Sequence, residues 1–165
     1  MIDSTYSQQL YRAGDRLMVG VVTGLVLISL AIAPLHDTWM PALVIGGSTW
    51  LLCAWLAWAH SGALVTRCTI AAALMVFSGL EIHQTQGMSE AHFAVFVLLA
   101  MLLYYRDWRP LVVGAGVIAL HHLGFDLLQR NGQGVFVFQN HDGAGIVLLH
   151  AAYVVAETLL LCLMA

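Results

Sequence analysis

The hydropathy pattern of the chain is six apolar stretches separated by short polar breaks: about Leu17–Ala33, Pro41–Ala59, Ala63–Leu80, His92–Tyr105, Leu111–Leu128 and Gly145–Ala165. Each approaches the ~20 residues that cross a hydrocarbon layer as a helix. Lipid offers backbone groups no hydrogen-bond partner, and the runs are too long for barrel strands, so all six are predicted to be transmembrane helices. The fourth is short and is expected to extend a turn beyond its apolar run. The predicted fold class is an all-α membrane protein, with residues 1–165 forming one transmembrane domain.

Composition agrees. Hydrophobic residues make up 61% of the 165 and charged residues 9%, against roughly a quarter charged in soluble domains. The six basic residues are all arginines, and nothing resembles a nucleic-acid surface. Arg12, Arg16, Arg67, Arg106 and Arg109 fall on one side of a six-helix zigzag and only Arg130 on the other. Basic residues concentrate on the cytoplasmic side of a membrane, so both termini are predicted cytoplasmic. The outer links are then His36–Met40, Glu81–Ala91 and Gln129–Ala144, with Glu81 and Glu90 expected in solvent. Trp39, Trp58 and Trp108 lie near helix ends, as interfacial aromatics do. Cys53, Cys68 and Cys162 lie in or beside apolar runs and read as small packers without a disulfide. Gly20 and Gly24 form a GxxxG pattern that could admit a second copy of the chain, making a homodimer a candidate assembly.

Polar side chains inside a span are costly and mark functional candidates. His121 and His122 are adjacent within an apolar helix, and neighbours on a helix point about 100° apart, so the two cannot share one face. In the predicted topology this pair lies roughly 10 Å below the outer surface and His150 roughly 8 Å below it. His83 and His92 stand at the same surface, whereas His60 is on the opposite side and His36 and His141 belong to outer links. His83, His92, His121, His122 and His150 are therefore the predicted metal ligands. Imidazole suits copper, zinc, iron and nickel, and the cysteines are predicted near the inner side, out of reach. Copper, as one or two ions, is the expected cofactor. The adjacent pair resembles the histidine pair at the copper site of haem–copper oxidases. A haem b held by two histidines is the alternative, with Gly114, Gly116 and Gly124 offering room. Helical spacing sets Asp126 beside His122 and Tyr153 beside His150 as supporting groups. Glu157, one heptad below His150, is a candidate for a signal or proton path.

Four segments carry a family resemblance: Glu90-Ala-His-Phe-Ala-Val-Phe96, Tyr105-Arg-Asp-Trp-Arg-Pro110, His121-His-Leu-Gly-Phe125 and Leu149-His-Ala-Ala-Tyr-Val-Val-Ala-Glu-Thr158. Together they resemble a bacterial polytopic membrane input domain found ahead of methyl-accepting chemotaxis modules, related ones preceding diguanylate cyclase or kinase modules. The resemblance implies a sensor in the bacterial inner membrane whose last helix continues into a cytoplasmic signalling module of the same chain, and the apolar ending Leu159-Leu-Leu-Cys-Leu-Met-Ala165 fits such a continuation. The expected function is a receptor input domain sensing redox state, oxygen or quinol through a metal near the periplasmic side. The rival class is a membrane oxidoreductase, with slow quinol oxidase-like chemistry bridging the two. A transporter would need polar residues at several depths, and here they concentrate at one.

Overall fold

The structure is a computed structural model describing residues 4–139 and 144–165. The described residues form helices and contain no strand. In chain order they are α1 (Ser4–Ile32), α2 (Trp39–Ala59), α3 (Leu64–Gln84), α4 (Ser89–Tyr105), α5 (Trp108–Arg130) and α6 (Ala144–Met164). Five are long and apolar enough to cross a membrane; α4 is apolar but shorter, and both its ends tighten into 3-10 turns. The chain is thus an all-helical protein with the makings of a membrane bundle.

Local chemistry explains several boundaries. Pro41 sits in the first turn of α2, where its missing N–H costs no hydrogen bond, and a π-helical turn over Ala42–Gly46 follows it. Arg106 takes a left-handed conformation (φ 50°) that ends α4, and Asp107 then caps α5 by accepting from the Arg109 backbone N–H at 3.1 Å. The start of α1 departs furthest from the hydropathy pattern. α1 begins at Ser4 rather than Leu17, because its polar first turns are amphipathic: Gly14, Asp15 and Met18 are buried while Arg12 and Arg16 face outward.

α3 is the central helix, packing against α1, α2, α4 and most extensively α5. Of its span 72% is buried, against 11% for α6, which leans only on α4 and α5. Exposed leucines, valines and tryptophans cover the outside, including Trp39, Trp58 and Trp108. Such a surface belongs in lipid rather than water. The three cysteines are free. Gly20 and Gly24 have no neighbour within 4 Å of an added Cβ, so the GxxxG pattern packs against nothing among the described residues.

Polar groups gather at the two ends of the bundle. At one end, Arg67 on α3 is buried and donates to Asp107 (2.8 Å) and to the Gly62 carbonyl (2.8 Å), with its guanidinium 3.6 Å from the Tyr11 ring centre. Asp15, fully buried, accepts from the Gly62 N–H at 2.6 Å and from Tyr105 Oη at 3.0 Å. Gly14 makes this possible: a Cβ there would stand 2.5 Å from the Tyr105 ring. Burial by itself would raise the Asp107 pKa, but hydrogen bonds from Arg109 and Arg67 outweigh it and hold the carboxyl below its usual range. Four elements are pinned together here.

Candidate functional site

The other end holds the histidines. His92 enters from the first turn of α4, His122 from α5 and His150 from α6. Their ring centroids form a triangle: His92–His150 5.1 Å, His92–His122 5.3 Å and His122–His150 6.0 Å. In each ring Nδ1 faces the carbonyl one turn back: Met88 at 3.0 Å, Ile118 at 3.0 Å and Ile146 at 2.9 Å. A carbonyl only accepts, so Nδ1 carries the hydrogen and a neutral ring holds its lone pair on Nε2. His92 Nε2 is buried with no hydrogen-bond partner, although the Val137 carbonyl also faces that ring. Each ring of the triangle thus offers an acceptor at Nε2, and that of His92 is buried without a donor, a costly arrangement unless something with positive charge or a donor hydrogen completes it.

Phe138 closes the triangle, its ring centroid 5.8 Å from His92, 5.9 Å from His122 and 5.2 Å from His150. It comes from the α5–α6 link, which folds back onto the bundle. Gln129 holds that link, its Nε2 donating to the Phe138 carbonyl at 2.8 Å and its Oε1 accepting from the Val137 and Phe138 N–H groups at 2.7 and 3.2 Å. The turn between α3 and α4 supports it from beneath: Gly87, at φ +78°, lies so close that a Cβ would stand 2.5 Å from the Phe138 backbone.

The remaining predicted site residues are placed differently. His121 turns toward α3, where a Cβ on Gly79 would stand 2.7 Å from its ring. It lies 5.4 Å from His122 and 4.1 Å from Phe125, and both its nitrogens are buried without partners. His83 serves the link: it stacks on Phe136 at 6.0 Å, and its Nδ1 accepts from the Phe136 N–H at 3.3 Å. Asp126 is paired with Arg130 (2.7 Å), and the Ile118 carbonyl orients His122 in its stead. Tyr153 points outward, 61% exposed. Glu157 is half-buried, with Oε2 lacking a partner. Glu81, expected in solvent, is buried, because α3 runs a turn beyond its apolar stretch and carries it inside the bundle. Glu90 is exposed as expected. His141 lies outside the described residues.

Three imidazoles bound to one ion by ~2.0 Å bonds have ring centres about 5 to 5.5 Å apart; the two edges at His92 fall in that range, and the His122–His150 edge, at 6.0 Å, is longer. The donor atoms do not yet converge: among the described residues, no three His, Cys, Asp or Glu side chains hold an ion-sized gap between them.

Sequence reasoning did not single out Phe138 or Gln129. The signal was present: Val135-Phe-Val-Phe138 is an apolar run inside an otherwise polar link.

Helices of this length and apolarity, with a histidine layer at one end, define an all-α membrane protein with a candidate binding site between α4, α5 and α6. Comparison with family models, curated proteins and solved structures finds no match to the chain.

Proposed function

We propose that the chain is a transmembrane sensory input domain that binds copper through His92, His122 and His150, with His121 and His83 beside them, and senses redox state, oxygen or quinol. The observation that carries this reading is the shared orientation of three imidazoles. Each gives Nδ1–H to its own backbone, which leaves its lone pair on Nε2, and this is how proteins commonly fix metal-binding histidines. The same ligand chemistry accommodates one ion at the triangle; His121 and His83 would have to turn to serve a second.

The arginines support an orientation with both termini in the cytoplasm of a bacterial inner membrane and the histidines near the periplasmic side. Arg12, Arg67 and Arg109 all belong to the end where Gly62 and Asp107 meet, and Arg130 to the other. α6 carries His150 and Glu157 and packs lightly, so a ligand that binds two arrangements of the α4–α6 group with different affinity would shift α6. A cytoplasmic signalling module following α6, as the resemblance implies, would receive that shift.

A bis-histidine haem b draws less support, because the rings already touch at 5.1 to 6.0 Å and Phe138 fills the remaining side, leaving no slot for a macrocycle. An electron-transfer protein oxidising quinol remains the alternative in function, favoured by the apolar cleft beneath the histidines.

Elemental analysis and paramagnetic resonance of the purified chain test the proposal. Copper with nitrogen hyperfine structure is expected, falling at least tenfold in His122→Ala and His150→Ala. Full occupancy in both variants, or a metal-free wild-type protein after copper loading, refutes it.

A further inference from the structure

Beneath the histidine triangle a cleft of about 410 Å³ runs between α5 and α6, with α4 as its floor. His92, His122 and His150 form one end, and the walls descend to Val112 on α5 and Leu159 on α6. Ten residues of helix from Val112 to His122 span about 15 Å, so the mean cross-section is roughly 25 Å², the section of one hydrocarbon chain or of a six-membered ring seen edge-on. A volume of this size falls in the range of small-molecule sites. Among the described residues, no ionisable side chain other than the histidines lines it. The one hydroxyl in the wall, Thr158, is engaged, donating to the Val154 carbonyl at 2.6 Å. Among the described residues, the unfilled hydrogen-bonding groups of the cleft are therefore the Nε2 acceptors at the histidine end.

From this geometry we infer that the cleft binds an isoprenoid quinol, entering from the bilayer with its hydroxyl-bearing ring against the Nε2 atoms of the triangle and its tail running toward Val112. The inference shares the histidine layer with the functional reading, whose three stimuli it narrows to one, and it concerns the metal-free triangle, because an Nε2 lone pair given to copper cannot also accept from a hydroxyl. Three features select the occupant. The length demands an apolar tail, since nothing polar meets it for most of the cleft. The acceptor end demands O–H donors, which a quinol has and the oxidised quinone lacks; a quinone, ketone or carboxylate would set lone pair against lone pair. The wall of α5 below His122 carries the small residues Ala119, Gly116 and Ala115, which leave space for a flat ring, and a Cβ at Gly116 meets nothing within 4 Å. Access is lateral, because α6 leaves the cleft partly open along exposed Leu148 and Val155. One hydroxyl donating to His92 Nε2 would also complete the single buried acceptor of the triangle that nothing else satisfies.

The test uses the full chain in lipid nanodiscs, stripped of metal by chelation, titrated with a short-tailed ubiquinol, the matching ubiquinone and a saturated alcohol bearing the same tail. Quinol binding at least tenfold tighter than either is expected. Gly116→Phe and the milder Ala115→Leu fill the cleft more than a turn below His122, and each should weaken quinol binding at least tenfold, whereas Leu27→Phe on the exposed face of α1 should not. His92→Ala should remove the preference for quinol over quinone. Equal binding of quinol, quinone and alcohol reduces the cleft to a groove for any hydrocarbon chain and overturns the inference. So does undiminished binding in both cleft-filling variants, or no quinol binding by folded wild-type protein. Failure of the copper reading shows separately, as absence of metal from loaded protein whose quinol affinity is unchanged.

Discussion

The two ends of the bundle handle buried polarity in opposite ways. At the arginine end Asp107 takes Arg67, Arg109 and a backbone N–H, and Asp15 takes Tyr105 and Gly62; of that network only Arg67 Nε lacks a hydrogen bond, and its guanidinium lies over Tyr11. At the histidine end His92 Nε2 and both nitrogens of His121 are buried and unpaired, with Ser78 Oγ and Glu81 Oε1 unpaired on α3. A closed network fixes helices in register. An open one in the same protein costs stability and makes sense as a place where something binds. The contrast teaches that polarity buried in an apolar bundle is informative through its partners rather than its presence.

The largest expected effect tests the closed end. Asp107→Ala strands Arg67 in an apolar surround, and removing one partner of a buried pair costs about 3–5 kcal/mol. His122→Ala removes a ring whose Nε2 has no partner and should cost much less stability. Thermal unfolding in detergent compares them, and an equal loss would turn the histidine layer into a second structural pin.

A middle-sized effect tests the cover of the open end. Gly87→Ala places a methyl against the Phe138 backbone and forces a side chain into φ +78°, so the link should lift from the triangle. Amide exchange at Val137 and Phe138 should quicken at least tenfold while the Arg67 end stays protected. Unchanged exchange would mean that the link is held by Gln129 alone.

The smallest effect at neutral pH concerns titration. Because the folded carboxyl of Asp107 sits below its ordinary value of about 3.9, its contribution is fully present above that value and is lost only as pH falls through the lowered one. Unfolding midpoints should therefore lose the Asp107 contribution only below about pH 4. In Asp107→Asn that acid-dependent step should vanish.

How much of this was legible beforehand differs by feature. The helices were, since hydrophobic length is a local property, and so were the gathering of the histidines at one end of the bundle and the grouping of arginines at the other. The start of α1 was not, because its polar first turns declare themselves helical only by what they pack against: Gly14 on Tyr105, Asp15 on Gly62. Nor was the division of labour among the five histidines. His83 reads like His92 by depth, yet one holds the Phe136 backbone and the other joins the triangle. The apolar run ending in Phe138 was readable as an anomaly in a polar link, though not its destination.

By itself the sequence determined that this chain forms apolar helices with imidazoles concentrated at one level, because both follow from composition and a fixed rise per residue. Only the tertiary structure decided which imidazoles meet. A helix that is apolar nearly all round carries no hydropathy signal for its rotation about its own axis, and a rotation of 100° is what separates His122 in the triangle from His121 against Gly79.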